Sequence, residues 1–164
     1  MQWRWAVADA VDPAEALEAA FDGLPERAVE ALVSMGSRLE FSAGDPVISE
    51  GGHADALHVV LSGRVRLSVH HRHADLAVAT LGPGDLLGWS WLVAPHRWDF
   101  DATAVVPTEM LRIPAVELHE MMHDDTAVAA AMAKGMLAVL SRRLRDTRIQ
   151  VLDQFAADSG GATP

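Results

Sequence analysis

Apolar and polar positions follow two different periods along these 164 residues, and the change of period divides the chain. Near the start the spacing is helical. In DPAEALEAAF, Asp12 serves as a cap, Pro13 takes the first helical position, and Glu15 stands where a capping-box carboxylate belongs. LPERAVEALVSMG follows, with Leu24, Ala28, Leu32 and Met35 on one face and Gly36 as a stop signal. From about Ser37 to Ile113 the pattern shortens into β-branched runs broken by Gly, Pro and Asp: RLEFS, PVISE, ALHVVLSG, RVRLSVHH and LAVATLG. Short strands at regular spacing predict an antiparallel sandwich or barrel rather than alternating α and β units. Helical spacing returns in PAVELHEMMH and again from Asp125 to about Phe155. The expected organisation is an N-terminal helical extension over 1–23, a β-rich unit with short flanking helices over 24–124, a long helix over 125–156, and an unstructured polar tail over 157–164.

The long helix carries a second pattern. Leu137, Leu140, Leu144, Thr147, Val151 and Phe155 recur mostly at alternating steps of three and four, a stripe able to meet its own copy along a two-fold axis. Met132 and Met136 widen the apolar surface beyond what one domain would cover, so a homodimer through Met136, Leu137, Leu140, Leu144 and Val151 is expected. The alternative is that the stripe packs back on its own domain. Arg142, Arg143, Arg145 and Arg148 form the basic cluster and are expected on a solvated face, where cations complement the helix macrodipole.

Charge and composition narrow the function. Thirteen basic residues against 23 acidic ones give a formal charge of −10, which phosphate backbones repel, so nucleic acid is not the expected partner. A helix-turn-helix reader would need more chain than follows the long helix, and no DNA-binding domain is expected. The absence of cysteine removes disulfides and thiolate chemistry. No apolar run reaches membrane-spanning length, so a cytoplasmic protein without a membrane partner is expected. Catalytic constellations are missing: Ser62 and Ser90 lack a nucleophile context, and GPGD is a turn. Histidines cluster at His70, His71 and His73 on an expected hairpin tip, with His53 and His58 earlier, and His119 and His123 share a helix face expected to be solvated. None has the third convergent ligand that a catalytic metal needs, so no metal is expected.

The turns carry the specific signal. FSAGDPVISEGGHADALHVVLSGRVRLSV followed by LGPGDLLG resembles the cyclic-nucleotide-binding domain family, the sensory fold of catabolite-activator-type regulators, kinase regulatory subunits and gated channels. The matching positions are Gly44, Asp45, Gly51, Asp55, Val59, Gly63, Gly84, Asp85 and Gly88, and the likeness spans roughly residues 24 to 150. It implies an α+β fold: a mainly antiparallel β-roll of the jelly-roll type, flanked by N-terminal helices and a long C-terminal helix. In that family a Gly-Glu pair takes the ribose hydroxyl, and an arginine two residues before an Ala-Thr pair clamps the cyclic phosphate. Here the corresponding stretch is GDLLGWSWLVAPHRWDFDATAV. Gly88 matches, but Trp89 stands at the acceptor position and has only a donor. Ala102–Thr103 is the matching pair, yet Phe100 occupies the arginine position between Asp99 and Asp101, and Arg97 comes three residues early.

The candidate ligand pocket is therefore Gly88, Trp89, Ser90, Trp91, Arg97, Trp98, Phe100, Ala102 and Thr103. On strands, Trp89 with Trp91 and Trp98 with Phe100 would each share a face. The rings either fill the pocket as core or line it for a flat ligand. The departures argue against ordinary cyclic AMP or cyclic GMP binding. The expectation is a non-catalytic regulatory or sensory module without a resident cofactor. Its partners would be a second copy and either a small-molecule ligand or another protein. The alternatives are a ligand-free interaction or dimerisation module, and an atypical cyclic-nucleotide binder that brings Arg97 inward.

Overall fold

A computed structural model describes residues 10–71 and 74–159; for His71, Ala74 and residues 150–159 only the backbone course is given. His73, part of the expected hairpin tip, and the tail from Gly160 onward lie outside the described residues. In chain order the elements are α1 (Pro13–Ala20), α2 (Glu26–Met35), β1 (Ser37–Phe41), β2 (Pro46–Ile48), β3 (Ala56–Ser62), β4 (Val65–His71), β5 (Ala74–Leu81), β6 (Leu86–Leu87), β7 (Asp101–Ala104), β8 (Thr108–Pro114), α3 (Ala115–Asp124) and α4 (Thr126–Ser159). Asp12 caps α1 as expected, its Oδ1 accepting from the N–H groups of Ala14 and Glu15 at 2.8 and 3.3 Å. Gly36 ends α2, its N–H donating to the carbonyl of Leu32.

The strands form two antiparallel four-stranded sheets, β1-β8-β3-β6 and β2-β7-β4-β5. Every residue of β3 is buried, because its two faces serve two cores. Leu57, Val59 and Leu61 point out towards the helices and meet Leu17, Phe21, Val29 and Leu32. Val60 points in and joins Leu67, Leu81, Leu87, Ala102 and Met110 between the sheets. Strand alternation thus makes one strand the wall shared by the roll interior and the helical layer.

The long helix corrects two expectations. Met132 and Met136 do not extend an outer surface: they are 0% and 3% exposed, packed with Val128 in the same core as α1 and α2. The close approach requires Gly135, where a Cβ would lie 2.5 Å from the carbonyl oxygen of Ala20 and would strike the ring of Phe21. On the outer face Leu137 is 63% and Leu144 73% exposed and Leu140 is half-buried, while the side chains of Val151 and Phe155 lie outside the described residues. Asp125 caps α4 through its Oδ1, which accepts from Ala127 and Val128. At the other end the helix continues through Ala156, Ala157 and Asp158 to Ser159, three residues past the expected boundary, since no breaker precedes Gly160.

Candidate ligand site

The site begins at the turn Gly82–Asp85. Asp85 accepts the Gly82 N–H on its Oδ2 at 2.9 Å, and the backbone of the turn locks to Val60 through the bonds Gly84 N–H to Val60 carbonyl and Val60 N–H to Asp85 carbonyl. This delivers β6 beside β3, with Leu87 opposite His58 and Leu86 opposite Val59. The chain then leaves the sheet at Gly88, whose φ of +97° suits glycine. A Cβ there would sit 2.6 Å from Trp98 Cζ3 and 2.9 Å from Cη2, so the indole of Trp98 lies where any other side chain would begin. Gly88→Ala is expected to lower stability by about 2 kcal/mol, positive φ and the clash acting together, as read from denaturant unfolding.

Residues between Leu87 and Asp101 are loop rather than strand, so the expected pairing of aromatic faces is not what forms. Trp89 and Trp91 diverge. Trp91 is 1% exposed. Its Nε1 donates to the Gly88 carbonyl at 3.0 Å, and its ring stands edge-on to His119. Trp89 turns the other way, half-buried, edge-on to Phe100 with ring centroids 5.6 Å apart. Trp98 and Phe100 separate likewise: Trp98 enters the core near His58, while Phe100 stays at the rim with Trp89. A helix-like turn at Trp89–Leu92, bonded from the Leu92 N–H to the Trp89 carbonyl, breaks the period of two.

Among the other candidates, Ser90 is buried and its hydroxyl donates to Asp99 at 3.1 Å. Ala102 is fully buried on β7 and Thr103 follows beside Arg66. Arg97 is exposed and donates from Nη1 to the Gly51 carbonyl at 2.7 Å, in a short ladder that also pairs His53 with Arg97. It does not line the space beside Gly88. That space, bounded by Ile48, Leu87, Gly88, Trp89, Ser90, Trp98, Asp99, Phe100 and Arg143, measures about 10 Å³, room for roughly one water.

Two residues at this site were not foreseen. Arg143 comes back from α4 rather than lying on a solvated face. Its guanidinium is 4.5 Å from the centre of the Trp89 ring, and Nη2 donates to the Leu86 carbonyl at 2.6 Å. Burial pulls its pKa down to about 10, which leaves it a cation at neutral pH. The neighbouring Arg142 pairs with Asp85 at 2.8 Å. The second residue is His58, 3% exposed on β3, whose pKa burial and then the nearby Arg112 press down to about 4. The imidazole is therefore neutral in the folded state and titrates near its ordinary value when unfolded. The unfolded state binds more protons between pH 6.5 and about 4, so stability falls as pH drops through that window. Replacing His58 with Gln is expected to flatten this part of the stability–pH curve, and an unchanged acid slope would refute the assignment.

The histidines elsewhere gather at a different place. His96 Nδ1 and His119 Nε2 both reach the Trp91 carbonyl, at 2.9 and 3.1 Å, beside an open cleft of about 570 Å³ at the foot of α3. His119 is thus tied to the loop, while His123 is exposed. Among the described residues no three histidine or carboxylate groups converge as metal ligands do, and no described helix is long and apolar enough to cross a membrane.

With this geometry in place, comparison with known proteins is informative. The cyclic nucleotide-binding domain family matches residues 38–125. The chain is 31% identical over 132 residues to a cyclic AMP receptor protein of Thermus thermophilus, covering 80% of this chain and 59% of that relative. The structure of the Thermus thermophilus catabolite activator protein superposes with a TM-score of 0.66 at 30% identity, over 84% of this chain and 62% of that one. A cyclic nucleotide-binding domain from Methylobacillus flagellatus reaches a TM-score of 0.76 at 16% identity, covering 86% and 83%, a likeness of fold alone. The chain spans less than two thirds of the curated relatives it matches. The matched segment holds nearly all of both sheets and the loop from Gly88 to Phe100, and the chain belongs to the cyclic nucleotide-binding domain family.

Proposed function

We propose that this chain is a non-catalytic regulatory module whose roll pocket has been remodelled so that cyclic AMP and cyclic GMP are not held in the family's usual way. One observation carries the reading. The ring of Trp98 lies on Gly88 and, with Trp89 and Phe100, leaves about 10 Å³ where a ligand would need several hundred. The family's phosphate clamp is missing as well. The position of the phosphate-clamping arginine is Phe100, and Arg97 is spent on the Gly51 carbonyl. The relatives' printed roles, a cyclic AMP receptor protein and cyclic-AMP-activated transcriptional regulators, support a regulatory rather than an enzymatic task. In this reading α4, which touches the pocket through Arg143 and offers Leu137 and Leu144 outward, joins two copies and relays the state of the roll.

The test is thermal unfolding of the purified protein with and without millimolar cyclic AMP or cyclic GMP, followed by tryptophan fluorescence. A ligand at 100 times its dissociation constant adds about 2.7 kcal/mol, a rise of several degrees for a domain of this size. No shift is expected with either nucleotide. A clear rise with one of them would overturn the remodelled-pocket reading.

A further inference from the structure

Among the described residues three buried side-chain nitrogens have no hydrogen-bond partner: Nδ1 of His58, and Nε and Nη1 of Arg143. Buried polar groups are nearly always satisfied, and those left over ask for a missing partner. These three belong to residues on either side of one aromatic set. His58 sits 6.0 Å from the Trp98 ring and Arg143 lies over Trp89, while Trp89, Trp98 and Arg143 line the same small space beside Gly88. Two of the three orphaned atoms thus belong to a residue that lines this space, and the third lies on a neighbour of Trp98.

We propose that this site takes a small aromatic anion, a ring bearing a carboxylate or phosphate, with the anion held by the free donors of Arg143 and the ring packed against Trp98. The proposal rests on the reading that the roll is a sensory pocket remodelled away from cyclic nucleotides, and it names what the pocket takes instead. The Leu86 carbonyl holds Nη2 and so fixes the guanidinium while leaving Nε and Nη1 to an acceptor. Asp85 lies near enough to favour the charge of Arg143, but its hydrogen bond goes to Arg142 and leaves Nε and Nη1 free. Asp99 also lines the space, but its Oδ2 accepts the Ser90 hydroxyl. With only about 10 Å³ free, the ligand takes the room of the half-buried Trp89 ring, which swings outward from beneath the guanidinium while Nη2 stays on the Leu86 carbonyl. Arg143 belongs to α4, so occupation is felt by the helix that carries the exposed leucines.

The experiment titrates the whole chain with phenyl phosphate and with benzoate, reading tryptophan fluorescence and thermal unfolding, with cyclic AMP run alongside. A saturable response to at least one aromatic anion is expected. Arg143→Gln should weaken it by roughly tenfold to a hundredfold, as losing a charge-assisted hydrogen bond does; Arg143→Lys should recover part of it, and Arg145→Gln, at an exposed position of the same helix, should leave it unchanged. Circular dichroism checks that each variant is folded. If Arg143→Gln does not fold, Arg143→Lys takes its place, and a response weaker than that of the unaltered chain is required. Silence towards both anions, or a response that ignores Arg143, overturns the proposal. Silence of the anions with cyclic AMP also silent leaves the remodelled-pocket reading standing. Stabilisation by cyclic AMP that survives Arg143→Gln removes both. Stabilisation by cyclic AMP that Arg143→Gln abolishes keeps Arg143 as the fork and removes only the exclusion of cyclic nucleotides.

Discussion

Replacing Trp91 with alanine is expected to cost about 3–5 kcal/mol, the usual range for deleting a buried indole, and to lower the midpoint of thermal unfolding by roughly 10 °C. Three connections fail together. The ring is among the largest fully buried side chains of the described residues. Its N–H satisfies the Gly88 carbonyl at the exit from β6. Its edge meets His119 of α3, which itself bonds to the Trp91 carbonyl, so the loop and the helix are fastened at one residue. Trp89→Ala is the matched control. That ring is half-buried, touches Phe100 and Arg143 at the rim, and is expected to cost under about 1.5 kcal/mol. Denaturant unfolding of the two variants compares them directly. Equal costs would mean that the two rings share one environment, contrary to their divergence.

That divergence marks where sequence reasoning reached its limit. The turn residues Gly44, Gly51, Gly63, Gly84 and Gly88 all take positive φ, so their placement along the chain reports backbone geometry directly and the β-roll is legible from it. The caps at Asp12 and Asp125 are equally local and equally readable. The aromatic loop is different, because its direction is set by tertiary partners: His119 for Trp91, Gly88 and His58 for Trp98, Arg143 for Trp89. A period of two holds only while the chain is a strand, and at Trp89–Leu92 it is a turn. Arg143 left a signal that the leucines masked. Val128, Met132, Met136, Val139 and Arg143 recur at steps of four and three, a second stripe that faces the domain and ends in the arginine over Trp89. Two apolar stripes on one helix make the inner and outer faces hard to tell apart by spacing. His58 carried no such mark, since a histidine in a run of valines and leucines gives no hint of which core it enters.

The outer stripe yields the last expectation. Leu137→Asp combined with Leu144→Asp should leave the fold of a single chain intact, because both side chains stand mostly in solvent there, and should abolish self-association. Seven residues apart, the two leucines fall at equivalent heptad positions, with Leu140 between them and the backbone of Val151 one repeat further on. A fully buried leucine contributes about 1.5–3 kcal/mol, so two per chain account for a weakening of a hundredfold or more in the dimer's dissociation constant. Met136→Ala should behave in the opposite way. Its side chain is 3% exposed in the core of its own chain, so the expected loss is in unfolding free energy rather than in assembly. Sedimentation velocity across a concentration series separates the two effects. A wild-type chain that stays monomeric at high concentration, or a double aspartate variant that still dimerises, would show that the stripe is not the seam. Because Arg143 and Leu144 are adjacent on α4, one facing Trp89 and the other facing out, a turn of this helix that moves one must move the other. In the proposed dimer, coupling between pocket and seam would need no longer path than that single step along the chain.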